Sequence, residues 1–195
     1  SLRSVDMSGF NTVNVNTMKQ MFDYCRMLTN VNFGSINVNR VTDMSYMFRG
    51  CTLLRTLDIS QFQSTALKYM QYMFYNCQAL SSLKMPTNLQ STSLQNISYM
   101  FRECYALSEI DLRGMKVNAV TDMTYMFYNA KALTTVDLAG WTLNPAGNVD
   151  PYAMFDYCQV LTTVYVSQDW DYLKLKASRY MFSNCRNLAG ANGTK

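Results

Sequence analysis

The sequence contains no histidine, only three prolines and eight glycines, and no apolar run approaching the roughly 20 residues that a membrane-spanning helix needs. Each absence excludes something. Without histidine the commonest general base is missing, so Ser-His-Asp and Cys-His arrangements and His-containing metal sites drop out. The thinly spread glycines form no Walker-type or dinucleotide-binding loop. Charge is scarce too, at 15%, and the 17 basic and 13 acidic residues are scattered. A nucleic-acid binder would gather its basic residues into a stripe or tail. The opening SLRSVDMSGF is polar from the start, so a signal peptide is not expected in it, as would hold for a mature or trimmed chain. What is abundant is apolar: 49% of 195 residues, enough for one core and one domain spanning residues 1–195.

The dominant feature is a repeat. Met-Phe recurs at Met21-Phe22, Met47-Phe48, Met73-Phe74, Met100-Phe101, Met126-Phe127, Met154-Phe155 and Met181-Phe182, at intervals of 26, 26, 27, 26, 28 and 27 residues. Three residues after each Phe stands Cys25, Cys51, Cys77, Cys104, Ala130, Cys158 or Cys185, and three further on always a leucine. An apolar–x–apolar pair follows, as in Leu57-Asp58-Ile59. A fixed period of this length marks a solenoid, in which one unit cannot bury both its faces and stacked units share a core.

Two periodicities coexist within a unit. Met44, Met47, Phe48, Cys51 and Leu54 lie at i, i+3, i+4, i+7 and i+10, which predicts one face of a short helix, with Thr42 or Asp43 as its N-cap. Leu57 and Ile59 around Asp58 alternate with period 2, which predicts a short strand. The expected fold is therefore α/β: a leucine-rich-repeat solenoid of about seven repeats, with short parallel strands on the concave face and short helices on the convex face. The segments NPAGNVDP and SQDWDYL break the period and are the places expected to be locally specialised.

The pattern VTDMSYMFRGCTLLRTLDIS resembles the repeat of BspA-like bacterial surface proteins, a leucine-rich-repeat family, over about Leu2 to Leu188. The resemblance implies a non-enzymatic, secreted or cell-surface module that adheres to host extracellular or cell-surface proteins. The Asn/Cys position of a standard leucine-rich repeat is apolar in this chain (Phe62, Met115, Trp141), so its side-chain-to-backbone ladder is expected to be absent. The chain opens mid-repeat and ends in AGANGTK without a recognisable cap. Part of a longer surface protein, or an end packed on a partner, is expected.

The six cysteines share one repeat position on the apolar face, where a free thiol acts as a small hydrophobe. Helices packed about 8–10 Å apart would hold them beyond disulfide reach, and no Cys-x-x-Cys offers zinc a site. No catalytic residue, metal or cofactor is expected. The strand column Asp6, Asn32, Asp58, Lys84, Asp111, Asp137, Tyr165 should form a row on the concave face. It reads plainly as a solvated face with Lys84 relieving repulsion between Asp58 and Asp111, and alternatively as a carboxylate pair for glycoside hydrolysis. As a ligand surface its candidates are Asp58, Lys84, Asp111, Arg113, Asp137 and Tyr165, beside Thr56, Glu109 and Thr135. A protein partner is favoured over a glycan, and neither nucleic acid nor membrane insertion is expected. The tyrosines before Met-Phe (Tyr46, Tyr72, Tyr99, Tyr125, Tyr180) either cover the seam between coils or form a binding row. An alternative role is a structural spacer stacking end to end with its neighbours. The sequons at Asn96 and Asn192 matter only in a glycosylating host.

Overall fold

A computed structural model describes residues 2–189 apart from 169 and 177. Seven short strands follow in chain order: β1 (Ser4–Asp6), β2 (Asn30–Asn32), β3 (Thr56–Asp58), β4 (Ser82–Lys84), β5 (Glu109–Asp111), β6 (Thr135–Leu138) and β7 (Thr163–Val166). All observed pairings are parallel and in the register that the repeat dictates, for example Leu57 beside Leu83 and Val136 beside Val164. In the three-residue strands the middle residue points into the core and its neighbours point to solvent, and in β6 Val136 and Leu138 alternate inward, as the period-2 pattern requires. Seven strands make six full turns of a parallel β-solenoid, and the buried side chains form one core cluster.

The strand face is not one sheet. Backbone ladders join β1 to β2, β3 to β4, and β5 to β6 to β7, and none joins β2 to β3 or β4 to β5 among the described residues. On the opposite side of the coil, parallel bridges run without interruption through Thr17, Asp43, Tyr69, Asn96, Asp122 and Asp150. That side, called the turn face below, is the continuous seam of the solenoid.

The helices expected on this side are not there. Among the described residues the one helical element is a short 3-10 turn, α1 (Tyr172–Lys174), outside the Met-Phe segments. Each Met-Phe segment is a chain of tight turns: Met47, Arg49 and Cys51 donate their N–H groups three residues back, to Met44, Tyr46 and Phe48 (3.3, 3.2 and 3.1 Å). The intervening N–H groups of Met44, Tyr46, Phe48 and Gly50 instead cross to the carbonyls of Tyr69, Gln71, Met73 and Tyr75 in the next coil (2.9, 3.0, 2.9 and 2.8 Å). A helix would have spent all of these donors on itself. The alternation needs two left-handed residues per unit, Tyr46 (φ 61°) and Gly50 (φ 71°) in the second copy. The apolar spacing misled because turns closing at i+3 place Met44, Met47, Phe48, Cys51 and Leu54 inward as well as a helix would. Asp43 does accept a backbone N–H, from Ser45 at 2.8 Å, but it caps a turn; Thr42 donates its hydroxyl to Asn16 O.

With no helices to hold neighbours apart, coils stack at the spacing of adjacent strands, about 4.8 Å. Identical side chains therefore lie in register through the core. Phe22, Phe48, Phe74, Phe101, Phe127, Phe155 and Phe182 form one continuous stack, with ring centroids 5.2–5.6 Å apart. Offset aromatic pairs of this kind add about 0.5–1.5 kcal/mol each beyond their burial.

The cysteines form a second ladder, which corrects two expectations. Coil spacing does not keep them apart, and a side-chain-to-backbone ladder is present. Cys51, Cys77, Cys104, Cys158 and Cys185 each donate the thiol to the Phe carbonyl of the preceding coil, at 3.0–3.2 Å. All six cysteines are free. Ala130 leaves one rung empty. Trp141, at the apolar column expected to lack partners, also donates across the coil, from Nε1 to Leu112 O at 2.8 Å. Burial pushes the thiols of Cys51 and Cys104 up to about 12, so they remain protonated donors.

Among the period-breaking segments, NPAGNVDP turns through left-handed Gly147 and Asn148 and rejoins the seam at Asp150. In SQDWDYL, Trp170 stacks on Trp141 at 6.3 Å, and Asp169 lies outside the described residues. Asn96 of the first sequon is held in the seam, donating to Asp122 Oδ2 at 3.0 Å and accepting from Ser98. Asn192 lies outside the described residues.

Two outcomes follow from the thiol ladder. Cys77→Ala should lower stability by about 1–2 kcal/mol in urea denaturation, through loss of a buried hydrogen bond and buried sulfur. An unchanged midpoint would show that the rung contributes nothing. Because burial raises the folded-state thiol pKa above the unfolded value of 9.0, this stability is complete below that pH. It is lost as pH rises from about 9 towards 12, so the urea midpoint should fall across that window and stay level just below it.

Candidate functional site

The strand face presents one free column, and the register places it as a row. Asp6 lies beside Asn32, Asp58 beside Lys84, and Asp111 beside Asp137 and then Tyr165. All six candidate residues reach the surface, with Asp137 the most covered. The breaks in the sheet divide them: Asp58 and Lys84 belong to one pair of strands, and Asp111, Asp137 and Tyr165 to the three-stranded sheet. Arg113 lies two residues beyond β5.

The ion pairing differs from expectation. Lys84 Nζ pairs with Asp58 Oδ2 at 3.3 Å and has no pairing with Asp111. The carboxylates of Asp111 and Asp137 are instead bridged by Arg113, which is 2.6 Å from Asp111 Oδ2 and 3.3 Å from Asp137 Oδ2. Like charges one coil apart are thus neutralised by a guanidinium from the following turn. The hydrogen bonds from Arg113 hold the Asp111 carboxyl below the ordinary carboxylate value, and those from Ser60 do the same for Asp58. A glycosidase needs one carboxyl held above that value as general acid. Neither Asp58 nor Asp111 fits that role.

The row also has a backbone task that sequence reading missed. An oxygen of Asp6, Asn32, Asp58, Asp111 and Asp137 accepts the backbone N–H two residues on, from Ser8, Gly34, Ser60, Arg113 and Ala139 (2.9–3.1 Å). These Asx turns close the strand and start the return loop. The recurrence of Asp or Asn as the third strand residue was the available signal. The fourth repeat departs from it: Lys84 has no acceptor to offer, and Pro86 has no N–H to donate.

Two clefts open where the fourth repeat departs. One of about 520 Å³ is lined by Lys84, Pro86, Asp111 and Arg113 among others. The second, about 400 Å³, is lined by Glu109, Asp111, Asp137 and Tyr165 together with Ser81 and Ser82. Both include Leu83 and Asp111, so they adjoin along the seam between β4 and β5. Of the six candidates, five line these clefts, and Asp58 stands beside them through Lys84.

The turn face uses its free positions differently. Tyr46, Tyr72, Tyr99 and Tyr125 stack face to face at 4.8, 4.4 and 5.0 Å. Arg49 lies over Tyr24 and Tyr46, gripped by both oxygens of Asp23 at 2.7 and 2.6 Å. Arg102 sits among Tyr75, Tyr99, Tyr125 and Tyr128, 4.5–5.8 Å from their centroids. Ring faces are spent on each other and on arginine, and burial among its neighbours pushes Tyr72 up to about 12. This is the seam-covering arrangement. Tyr180 alone of the five stays largely exposed, edge-on to Tyr152.

No helix among the described residues is long and apolar enough to cross a membrane. No curated protein matches the chain. Among solved structures, a leucine-rich repeat protein of T. pallidum is similar at 21% identity and a TM-score of 0.62, over 95% of this chain and 77% of that one. A leucine-rich repeat protein from Bacteroides ovatus (14% identity, TM-score 0.34, 96% and 66% covered) and a leucine rich cell surface protein from Faecalibacterium prausnitzii (17%, 0.37, 96% and 72%) also match. The T. pallidum likeness shows the leucine-rich-repeat fold, and the BspA-like resemblance read from the M-x-x-M-F-x-x-C-x-x-L core is borne out. The family described as "Mycoplasma protein of unknown function, DUF285" matches residues 2–110 and again 84–193, and the chain belongs to that family.

Proposed function

We propose that the chain is a non-enzymatic binding module of a secreted or cell-surface protein, and that it adheres to host or cell-surface proteins through its strand face. The observation that carries this reading is the contrast between the two faces. Variable positions of the turn face are consumed by internal stacking, whereas those of the strand face stand in register at the surface around two adjoining clefts. Repeat proteins recognise partners on such extended faces. Its exposed charges and small polar groups, with Tyr165 as an exposed aromatic among them, suit a polar protein interface. Asp58, Lys84, Asp111, Arg113, Asp137 and Tyr165 are the residues assigned to contact.

A second reading, end-to-end assembly, draws on apolar side chains left open on the outer coils: Phe10 is 63% exposed, Tyr180 58% and Phe182 41%. Such side chains are covered either by a further coil or by a second copy.

Pull-down from host matrix and cell-surface extracts, with the chain as bait, tests the first reading. Charge reversal at Asp111 and Asp137 should weaken capture of the recovered protein about tenfold or more, and unchanged capture would remove the strand face as the site. For assembly, light scattering should report mass rising with concentration. A monomer at every concentration would count against it.

A further inference from the structure

We infer that the recognition point of the strand face is the seam between β4 and β5, and that it takes an extended peptide segment of a partner protein bearing one acidic and one basic side chain on the same side. This names the partner chemistry for the strand-face reading above and rests on it.

The lining of this seam is set by the fourth repeat's own residues. Lys84 stands where the neighbouring coils have Asp, and Pro86 stands where they supply an N–H, so the Asx turn cannot form there. No backbone ladder joins β4 to β5 among the described residues, leaving peptide groups along the two strand edges without partners from the sheet. The coils remain held together on the turn face through Tyr69, Asn96 and Asp122, and beyond the strands through the Leu89–Met115 bridge. The opening is thus a trough on the strand face, one of two breaks in its ladders, and the one at which the clefts lie. Its far wall is tight: a β-carbon on Gly114 would collide with the Pro86–Thr87 backbone.

The two ends of the trough differ in charge. Lys84 and Arg113 flank the end beyond the strands, where Asp111 is the one acidic residue in the lining. Glu109 and Asp137 flank the other end beside Tyr165, which is 54% exposed. Glu109 makes no ion pair or side-chain hydrogen bond among the described residues. The pairs that hold Lys84 and Arg113 are themselves exposed, with side chains more than half open on every member except Asp137. Exposed pairs of this kind contribute little to stability, so a ligand charge can replace the internal partner at small cost. In an extended chain alternate side chains share a side and lie about 6.6–7 Å apart. Glu109 and Asp111, alternate residues of β5 in the linings of the two clefts, are set apart by that spacing.

The test is to pan a displayed library of random dodecapeptides against the intact chain and to measure synthetic copies of the enriched peptides by fluorescence anisotropy. Enriched sequences should carry Lys or Arg two positions from Asp or Glu. Their affinity should fall about tenfold or more with Glu109→Gln plus Asp137→Asn, and likewise with Lys84→Gln plus Arg113→Gln, and should weaken with salt. Asn at 137 keeps the turn-forming oxygen, and an unchanged thermal midpoint excludes a folding effect. Repeating the selection on Glu109→Lys plus Asp137→Lys should exchange the basic position for an acidic one. Peptides without the charge pair, affinity untouched by both double variants, displacement by neutral polysaccharide, or no enrichment would each overturn the seam assignment. If peptides lacking the pair still lose affinity with Tyr165→Ala, the broader strand-face reading survives. If no strand-face variant affects them, both readings fall.

Discussion

The backbone hydrogen bonds that run from one coil to the next along the turn face are what the rest of the structure depends on. Met44, Tyr46, Phe48 and Gly50 can reach the following coil only because every second residue turns its N–H outward. That geometry demands left-handed backbone at Tyr46 and at six equivalent positions, none of them glycine. Each such non-glycine residue costs about 1–2 kcal/mol. The cost is offset by bonds on both sides of the coil and by stacking of the very tyrosines that adopt the strained conformation. This seam stays continuous where the strand ladder is interrupted, so the solenoid is tied together chiefly at its turns.

Once coils sit a strand spacing apart, side chains in one column must either stack or exchange hydrogen bonds with their copies. The phenylalanines stack. The cysteines do the other: small enough to fit beside the Phe ring, they donate to a carbonyl that would otherwise keep one buried lone pair idle. Ala130 fits the space but not the chemistry, which explains why a packing residue can replace cysteine there without disturbing the coil. Arginine plays the corresponding part outside, where Arg49 and Arg102 are sandwiched between tyrosines of adjacent coils.

The strand face is the less constrained side. Its Asp and Asn residues serve turns first and solvent second, so a row of carboxylates there needs no catalytic explanation. Where Lys84 and Pro86 abandon that turn, two clefts lie along one of the breaks in the sheet. In this way a local departure from the repeat becomes a feature of the surface. Much of the candidate site was legible in the sequence: the strand column and its register follow from the repeat alone, and five of its six named residues line the clefts. Arg113 as the bridge between Asp111 and Asp137 was not legible, because pairing between side chains depends on which way the chain turns after β5. Glu109 stands in the sequence only as a neighbour of that column, and the effect of Pro86 is the loss of a hydrogen bond that the sequence does not display.

The sequence by itself determined the repeat, its coil length, the inward columns and the parallel order of the strands, because burying copies of one unit against each other leaves little alternative. It could not decide between helix and turn for VTDMSYMFRGC. An apolar residue at every third or fourth position satisfies both, and the choice rests on whether N–H groups bond within the coil or across to the next. Only the tertiary structure decides that, since the acceptors at Tyr69, Gln71, Met73 and Tyr75 belong to another turn of the solenoid.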